Sequence, residues 1–345
     1  MLTRPDLLSG EVLTHALGAG WDITPAAMTY LPVGYGSHHW QVTVGHERWF
    51  VTVDDLADRL RSLADTTDAA CDRLRSALET ARALADSGAS FVVAPVSTGD
   101  GSILRRIGGE FAIAVYPFVA GCGREFGDAL SPADRRVILP LITAVHNAPA
   151  SVRRHARPDD FALPGGGVLR RALDELTVRW DGGPYGERAR RLLARQASPL
   201  ERLLRHRDQL AEQARNQPAR VVLTHGEPHP GNLIQAASRW LLVDWDTTLL
   251  APPERDLWLL DPGDGSVINA YRQATGREIS PPMLDLYRMT WELSDVVSSV
   301  TRFRRAHGDT ATDRADWEIL SRSCSGQSSC RTWQADAGSA SLGEW

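Results

Sequence analysis

The stretch THGEPHPGNLI (224–234) sets two histidines, an acid and an asparagine among glycines and prolines, and LLVDWD (241–246) follows almost at once. His225 and His229 stand four apart with Glu227 between them, the spacing of a zinc-binding helix. Such a site needs a helix to bring both imidazoles to one face, and Gly226, Pro228, Pro230 and Gly231 forbid one. A polar loop between strands fits better. VVLT (221–224) is a β-branched apolar run and NLI (232–234) opens a second strand, and loops at strand ends are where catalytic groups are usually presented. WLLVDWD (240–246) reads as a buried strand ending in Asp244 and Asp246. Strand–loop–strand geometry lets Asn232 and Asp244 converge, and their amide and carboxylate oxygens suit a magnesium ion that also binds substrate phosphates. Glu227 then lies beside them as the acid that orients or deprotonates an attacking hydroxyl.

Upstream, residues 29–53 read as three strands, with VGYGS (33–37) and GHE (45–47) as turns. A helical region is expected from about Asp55 to Ser87. FVVAPVSTG (91–99), SILRRI (102–107) and EFAIAVYPFV (110–119) read as further strands, giving an antiparallel sheet of about five strands. After residue 119 helices dominate. Ser131-Pro132 with Asp134 marks a capped start, and Pro140 is expected to kink that helix. LPGGG (163–167) reads as a loop or hinge. The expected organisation is a small nucleotide-binding lobe (1–118), a larger mainly helical catalytic and acceptor-binding lobe (119–320) and a disordered tail (321–345).

The chain has 345 residues, a net charge of −5 and no lysine, so its 38 basic residues are all arginine. That balance argues against nucleic-acid binding or a basic membrane patch. The four cysteines show no metal-binding spacing. Without a signal-like or membrane-spanning stretch the expected location is cytoplasmic, as a monomer or weak homodimer.

His225-Gly226-Glu227, then Asn232, then Asp244 resembles the catalytic loop and metal-binding Asp of the aminoglycoside phosphotransferase family, over about residues 29–308. DWDTTLLAPPERDLW (244–258) is most similar to that family's spectinomycin phosphotransferase branch. The resemblance implies an α+β, protein-kinase-like bilobal fold, with an antiparallel-sheet N-lobe and a mainly helical C-lobe. It implies transfer of the γ-phosphate of ATP, or of GTP in its place, to a hydroxyl of a small-molecule acceptor with Mg2+, an activity associated with antibiotic resistance. VGYGS then looks like the phosphate-covering loop, through Gly34, Gly36 and Ser37. YPFV (116–119), with Tyr116 and Phe118, looks like the hinge that holds adenine through backbone hydrogen bonds. His146 matches the family's helix histidine, and His225 is expected to hold the loop together by hydrogen bonds. Arg255 and Asp256 are expected to pair.

Two positions depart from the pattern. Glu227 stands where the family usually has Asp, and Thr52 stands where a phosphate-binding lysine is expected. Arg73 or Arg75, on the following helix, is the expected substitute cation. Two readings stay open: an active small-molecule kinase, or a degenerate kinase fold that binds ligand without efficient turnover. The short Asp246–Asp256 segment argues against a protein kinase. Asp261, Asp264, Glu292 and Asp295 are candidate partners for a cationic acceptor.

Overall fold

The computed structural model describes residues 1–216, 220–237 and 239–325. Its chain divides into two compact units, Met1–Asp160 with Pro218–Leu284, and Phe161–Gln217 with Asp285–Trp345.

The first unit opens with α1 (Gly10–Trp21) and a sheet of β1 (Ala27–Leu31), β2 (Ser37–Val44), β3 (Glu47–Asp55), β4 (Arg105–Ile107) and β5 (Phe111–Pro117). Strand order is β1-β2-β3-β5-β4 and every pairing is antiparallel. Strand alternation sorts side chains onto two faces. Val51 and Val53 of β3 pack with Trp40, Val42, Ile113 and Val115 against Leu13 and Leu17 of α1. The opposite face carries Ser37, Thr52 and Asp54, together with Ala112 and Ala114. The two alanines pack with Ala70, Cys71, Leu74 and Leu78 of α2 (Thr67–Asp86).

The helix expected from Asp55 starts only at Thr67, whose preceding Thr66 accepts from the Ala69 amide as its cap. Residues 56–66 are instead held in turns, with Ala57 N–H on the Asp55 carboxylate and Arg61 N–H on Asp65. The strand expected at 91–99 is also absent. Pro95 cannot donate to a ladder, and the segment makes isolated bonds from Val93 to Leu242 and from Val96 to Val115.

The same unit continues through β6 (Cys122–Gly123), α3 (Pro132–His146) and α4 (Ala150–Arg153). Ser131 and Asp134 form the expected capping box, and α3 runs unbroken through Pro140. Ile138, Ile142 and Val145 of α3 join a core with Leu223, Leu233, Leu242 and Trp245 that lies beneath the catalytic-loop motif.

The second unit contains α5 (Gly166–Asp174) and α6 (Gly186–Arg215). Gly165, in LPGGG, caps α5 with φ +68, and a Cβ there would meet Val297 at 2.5 Å.

Back in the first unit come β7 (Val222–Thr224), a 3-10 turn (Pro230–Asn232), β8 (Leu233–Ala236), β9 (Arg239–Leu242), β10 (Leu249–Ala251), α7 (Glu254–Leu260) and α8 (Ser266–Thr275). β7 pairs with β10, and β8 with β6 and β9, all antiparallel. Helix α9 (Pro281–Arg304) leads into the second unit, which ends with α10 (Ala311–Cys324). Leu169, Leu193, Leu204, Leu293, Val300 and Phe303 form its core. Residues 321–324, expected in the tail, belong to α10; the rest of that expected segment, from 326, lies outside the described residues. No described helix is long and apolar enough to cross a membrane. The architecture is the α+β, kinase-like fold expected of the resemblance.

Candidate active site

The loop after β7 is held from beneath by one carboxylate. Asp256 of α7 is fully buried, accepting from the Gly226 amide at 2.6 Å and the His225 amide at 3.0 Å. Its second oxygen also takes His146 Nε2 at 3.0 Å, and His146 Nδ1 meets the Tyr271 hydroxyl at 2.8 Å. Burial alone would raise the Asp256 carboxyl; the hydrogen bond from His146 does most to hold it below the usual range. The expected pairing of Asp256 with Arg255 is corrected here. Arg255 donates to Thr224 Oγ1 and the Thr247 carbonyl.

His225 has the loop-holding role expected of it. It is fully buried and its Nε2 lies 2.9 Å from the Val243 carbonyl, so Nε2 carries the proton. Nδ1 then accepts from the Glu227 amide at 3.2 Å. Trp245 stands edge-on to His225, with ring centroids 4.5 Å apart. Gly226 has φ +102, and a Cβ would sit 2.4 Å from the Arg255 guanidinium, so this position requires glycine.

Asn232 and Asp244 both lie beside this loop. Asn232 Nδ2 donates to the Glu227 carbonyl at 3.0 Å, and the Val243 amide donates to the Asn232 carbonyl at 3.1 Å. The first bond leaves Asn232 Oδ1 as an acceptor. Asp244 adopts the left-handed region at φ +63, rare outside glycine. Burial, Asp246 and Glu227 push the Asp244 carboxyl well above its ordinary range, and it shares a hydrogen bond with Asp246. Crowded carboxylates beside an amide oxygen form a hard-oxygen donor set. Such oxygens suit a divalent cation such as Mg2+, which Asn232 and Asp244 would hold. His229 lies 3.3 Å from Asn232 Nδ2 and edge-on to Phe126.

The sheet side of the site is built differently from expectation. Thr52 shares a sheet face with Tyr116, whose phenol burial raises well above its usual value. Arg73 is committed to Asp65 at 2.5 Å, and Arg75 to Asp72. Neither supplies a cation here. Arg59, in the turns between β3 and α2, does. Its Nη2 lies 2.6 Å from Asp54, 2.5 Å from Asp246 and 3.3 Å from Ser37 Oγ. Ser37 itself donates to Asp54 at 2.5 Å. Arg59 also reverses the effect of burial on Asp246, holding that carboxyl low.

Gly34 and Gly36, at φ +67 and +84, supply the turn that delivers Ser37. At the hinge, the Phe118 amide donates to the Arg48 carbonyl, and Arg48 lies 4.3 Å over the Phe118 ring. Tyr116 pairs with Phe50 in the same ladder. By alternation of an antiparallel pair, the Pro117 carbonyl at the end of β5 faces away from β3. Among the candidate acceptor acids, Asp264 accepts from the Ser266 amide at the start of α8, whereas Glu292 is buried and raised to about 7 by burial.

This geometry accompanies a clear kinship. Residues 28–310 match the phosphotransferase enzyme family, and the chain belongs to that family. It is a phosphotransferase acting on a hydroxyl group. Protein StrN of Streptomyces griseus is 28% identical over 250 residues, covering 69% of this chain and 73% of StrN. Spectinomycin phosphotransferase APH(9)-Ia, in complex with ADP and spectinomycin, shares the fold with a TM-score of 0.68 and 17% identity, over 95% of this chain and 97% of that one. The microcompartment-associated aminopropanol kinase shares it with a TM-score of 0.58 and 17% identity, over 92% and 95%.

Proposed function

We propose that the protein transfers the γ-phosphate of ATP to a hydroxyl of an aminocyclitol- or aminoglycoside-like acceptor. The observation that carries this reading is the convergence of Glu227, Asn232 and Asp244 on a loop held by Asp256. The ADP and spectinomycin bound to APH(9)-Ia support the choice of nucleotide and acceptor class.

In this reading Glu227 orients the acceptor hydroxyl and takes its proton as the new O–P bond forms. The bond from the γ-phosphorus to the bridging oxygen breaks, and ADP leaves. Asn232 and Asp244 would hold Mg2+, which supplies charge neutralisation on the phosphates. His225 and Asp256 keep the Glu227 backbone in place, which limits the reorganisation needed for reaction.

The test is ADP release with ATP against a panel of spectinomycin, aminoglycosides, aminopropanol and choline. Acceptor-dependent ADP release is expected with an aminocyclitol or aminoglycoside. Glu227→Gln lowers kcat by about 100-fold, with ATP affinity little changed, because the acid acts on the acceptor. Turnover of the Gln variant equal to wild type, or ADP release that no acceptor stimulates, refutes the reading.

A further inference from the structure

We propose that Arg59 is the cation that binds the nucleotide phosphates, replacing from a turn the lysine that the strand lacks. The inference rests on the kinase reading and names a residue for its nucleotide subsite. The chain contains no lysine. The strand position expected to carry one, Thr52, has only a short hydroxyl and lies on the same sheet face as Asp54.

Arg59 occupies the corresponding place by another route. Its side chain is 19% exposed and bridges Asp54 at the end of β3 to Asp246 beside the metal-binding pair. Ser37, which closes the Gly34–Gly36 turn, contacts the same nitrogen. Arg59 thus stands where the glycine turn, the sheet and the catalytic carboxylates meet. Nε and Nη2 carry these bonds, while Nη1 has no hydrogen-bond partner among the described residues. A guanidinium held along one edge keeps its other donors for a phosphate oxygen, and it stays charged at every working pH.

The helix expected to supply the cation buttresses it instead. Arg73 donates to the Arg59 carbonyl at 3.1 Å while paired with Asp65. A strand acid, Asp54, thus holds a cation that comes from the turn. Asp54, Asp244, Asp246 and Glu227 would otherwise repel a polyphosphate, and Arg59 offsets that charge.

The experiment compares binding of fluorescent ATP, AMP and adenosine analogues, with no acceptor present. Wild type is expected to bind ATP far more tightly than adenosine. Arg59→Ala should weaken ATP by about 10- to 100-fold, the worth of a charge-assisted phosphate contact, and leave adenosine unchanged. Removing Arg59 leaves Asp54 and Asp246 unpaired, so that variant risks unfolding. The double variant Arg59→Gln with Asp54→Asn removes the pair together, and the same selective loss of ATP is expected. ATP binding within threefold of wild type in either folded variant overturns the proposal. So does a wild type that binds adenosine and ATP alike, although the adenine site would then still stand. A wild type that binds no adenine compound refutes the kinase reading itself, and the role of Arg59 with it.

Discussion

Replacing Asp256 with asparagine keeps the side chain's shape and changes only which of its atoms accept. Oδ1 takes the Gly226 amide, and Oδ2 takes both the His225 amide and His146 Nε2. An asparagine has one oxygen, so its NH2 must face donors on one side. The less costly orientation aims NH2 at Gly226 and keeps the oxygen for His225 and His146. A tautomer switch at His146 does not rescue the other orientation, because the His225 amide still points at NH2. One charge-assisted bond is lost outright, worth about 1.5–3 kcal/mol, and two become neutral. Relief from burying a carboxylate offsets part of this, leaving a loss of roughly 2–4 kcal/mol. For a unit of this size that lowers the melting temperature by about 5–15 °C. The donor facing the Gly226 amide also pushes the loop that carries Glu227, and a shift near 1 Å costs on the order of 100-fold in kcat. Calorimetry and steady-state kinetics on the same preparation check both effects. A variant melting within about 2 °C of wild type, with kcat within threefold, would show that Asp256 does not position the loop.

Gly226→Ala faces both φ +102 and a Cβ 2.4 Å from the Arg255 guanidinium, whereas Gly36→Ala faces φ +84 with nothing within 4 Å. The first should cost about 2–3 kcal/mol or more and the second about 1 kcal/mol; equal melting shifts would refute the packing role of Arg255. Glu292→Gln tests a buried acid whose Oε1 has no hydrogen-bond partner among the described residues. Burial raises its carboxyl from 4.5 to about 7, with Arg288 opposing and Asp295 adding to the rise. A raised folded value means its stabilising contribution is complete below pH 4.5 and is lost as pH rises through about 7. The substitution should therefore flatten the decline in stability over that window, by an amount on the order of 2 kcal/mol, read from melting curves at each pH. An unchanged pH profile would place the charge of Glu292 in contact with water.

The catalytic loop was legible because its chemistry is local. Proline and glycine around His225 excluded a helix, while Asn232 and Asp244 lie just outside the strand pair expected to carry them: Asn232 closes the 3-10 turn before β8, and Asp244 stands two residues beyond β9. What failed depended on distant partners. Asp256 was assigned to its neighbour Arg255, yet its partner His146 lies 110 positions away. The start of α2 was misjudged because leucine and alanine spacing continues through turns that Asp55 and Asp65 hold by side-chain bonds. Arg59 lies inside that misread segment and binds residues 5, 22 and 187 positions away, a pattern without a local signature.

One clue to Arg59 was nonetheless present. Strand alternation puts Asp54 on the same face as Thr52, opposite the apolar Val51 and Val53. An acid buried there needs a cation, since an unpaired carboxylate is too costly. With no lysine in the chain, that cation had to be an arginine, and one carried on the strand would have occupied the space Thr52 and Tyr116 share. A turn leaving β3 gives the longer guanidinium room to fold back on Asp54 and still reach Asp246. The acid at Asp54 and the missing cation at Thr52 are thus two sides of one substitution, and the turn before α2 is what connects them.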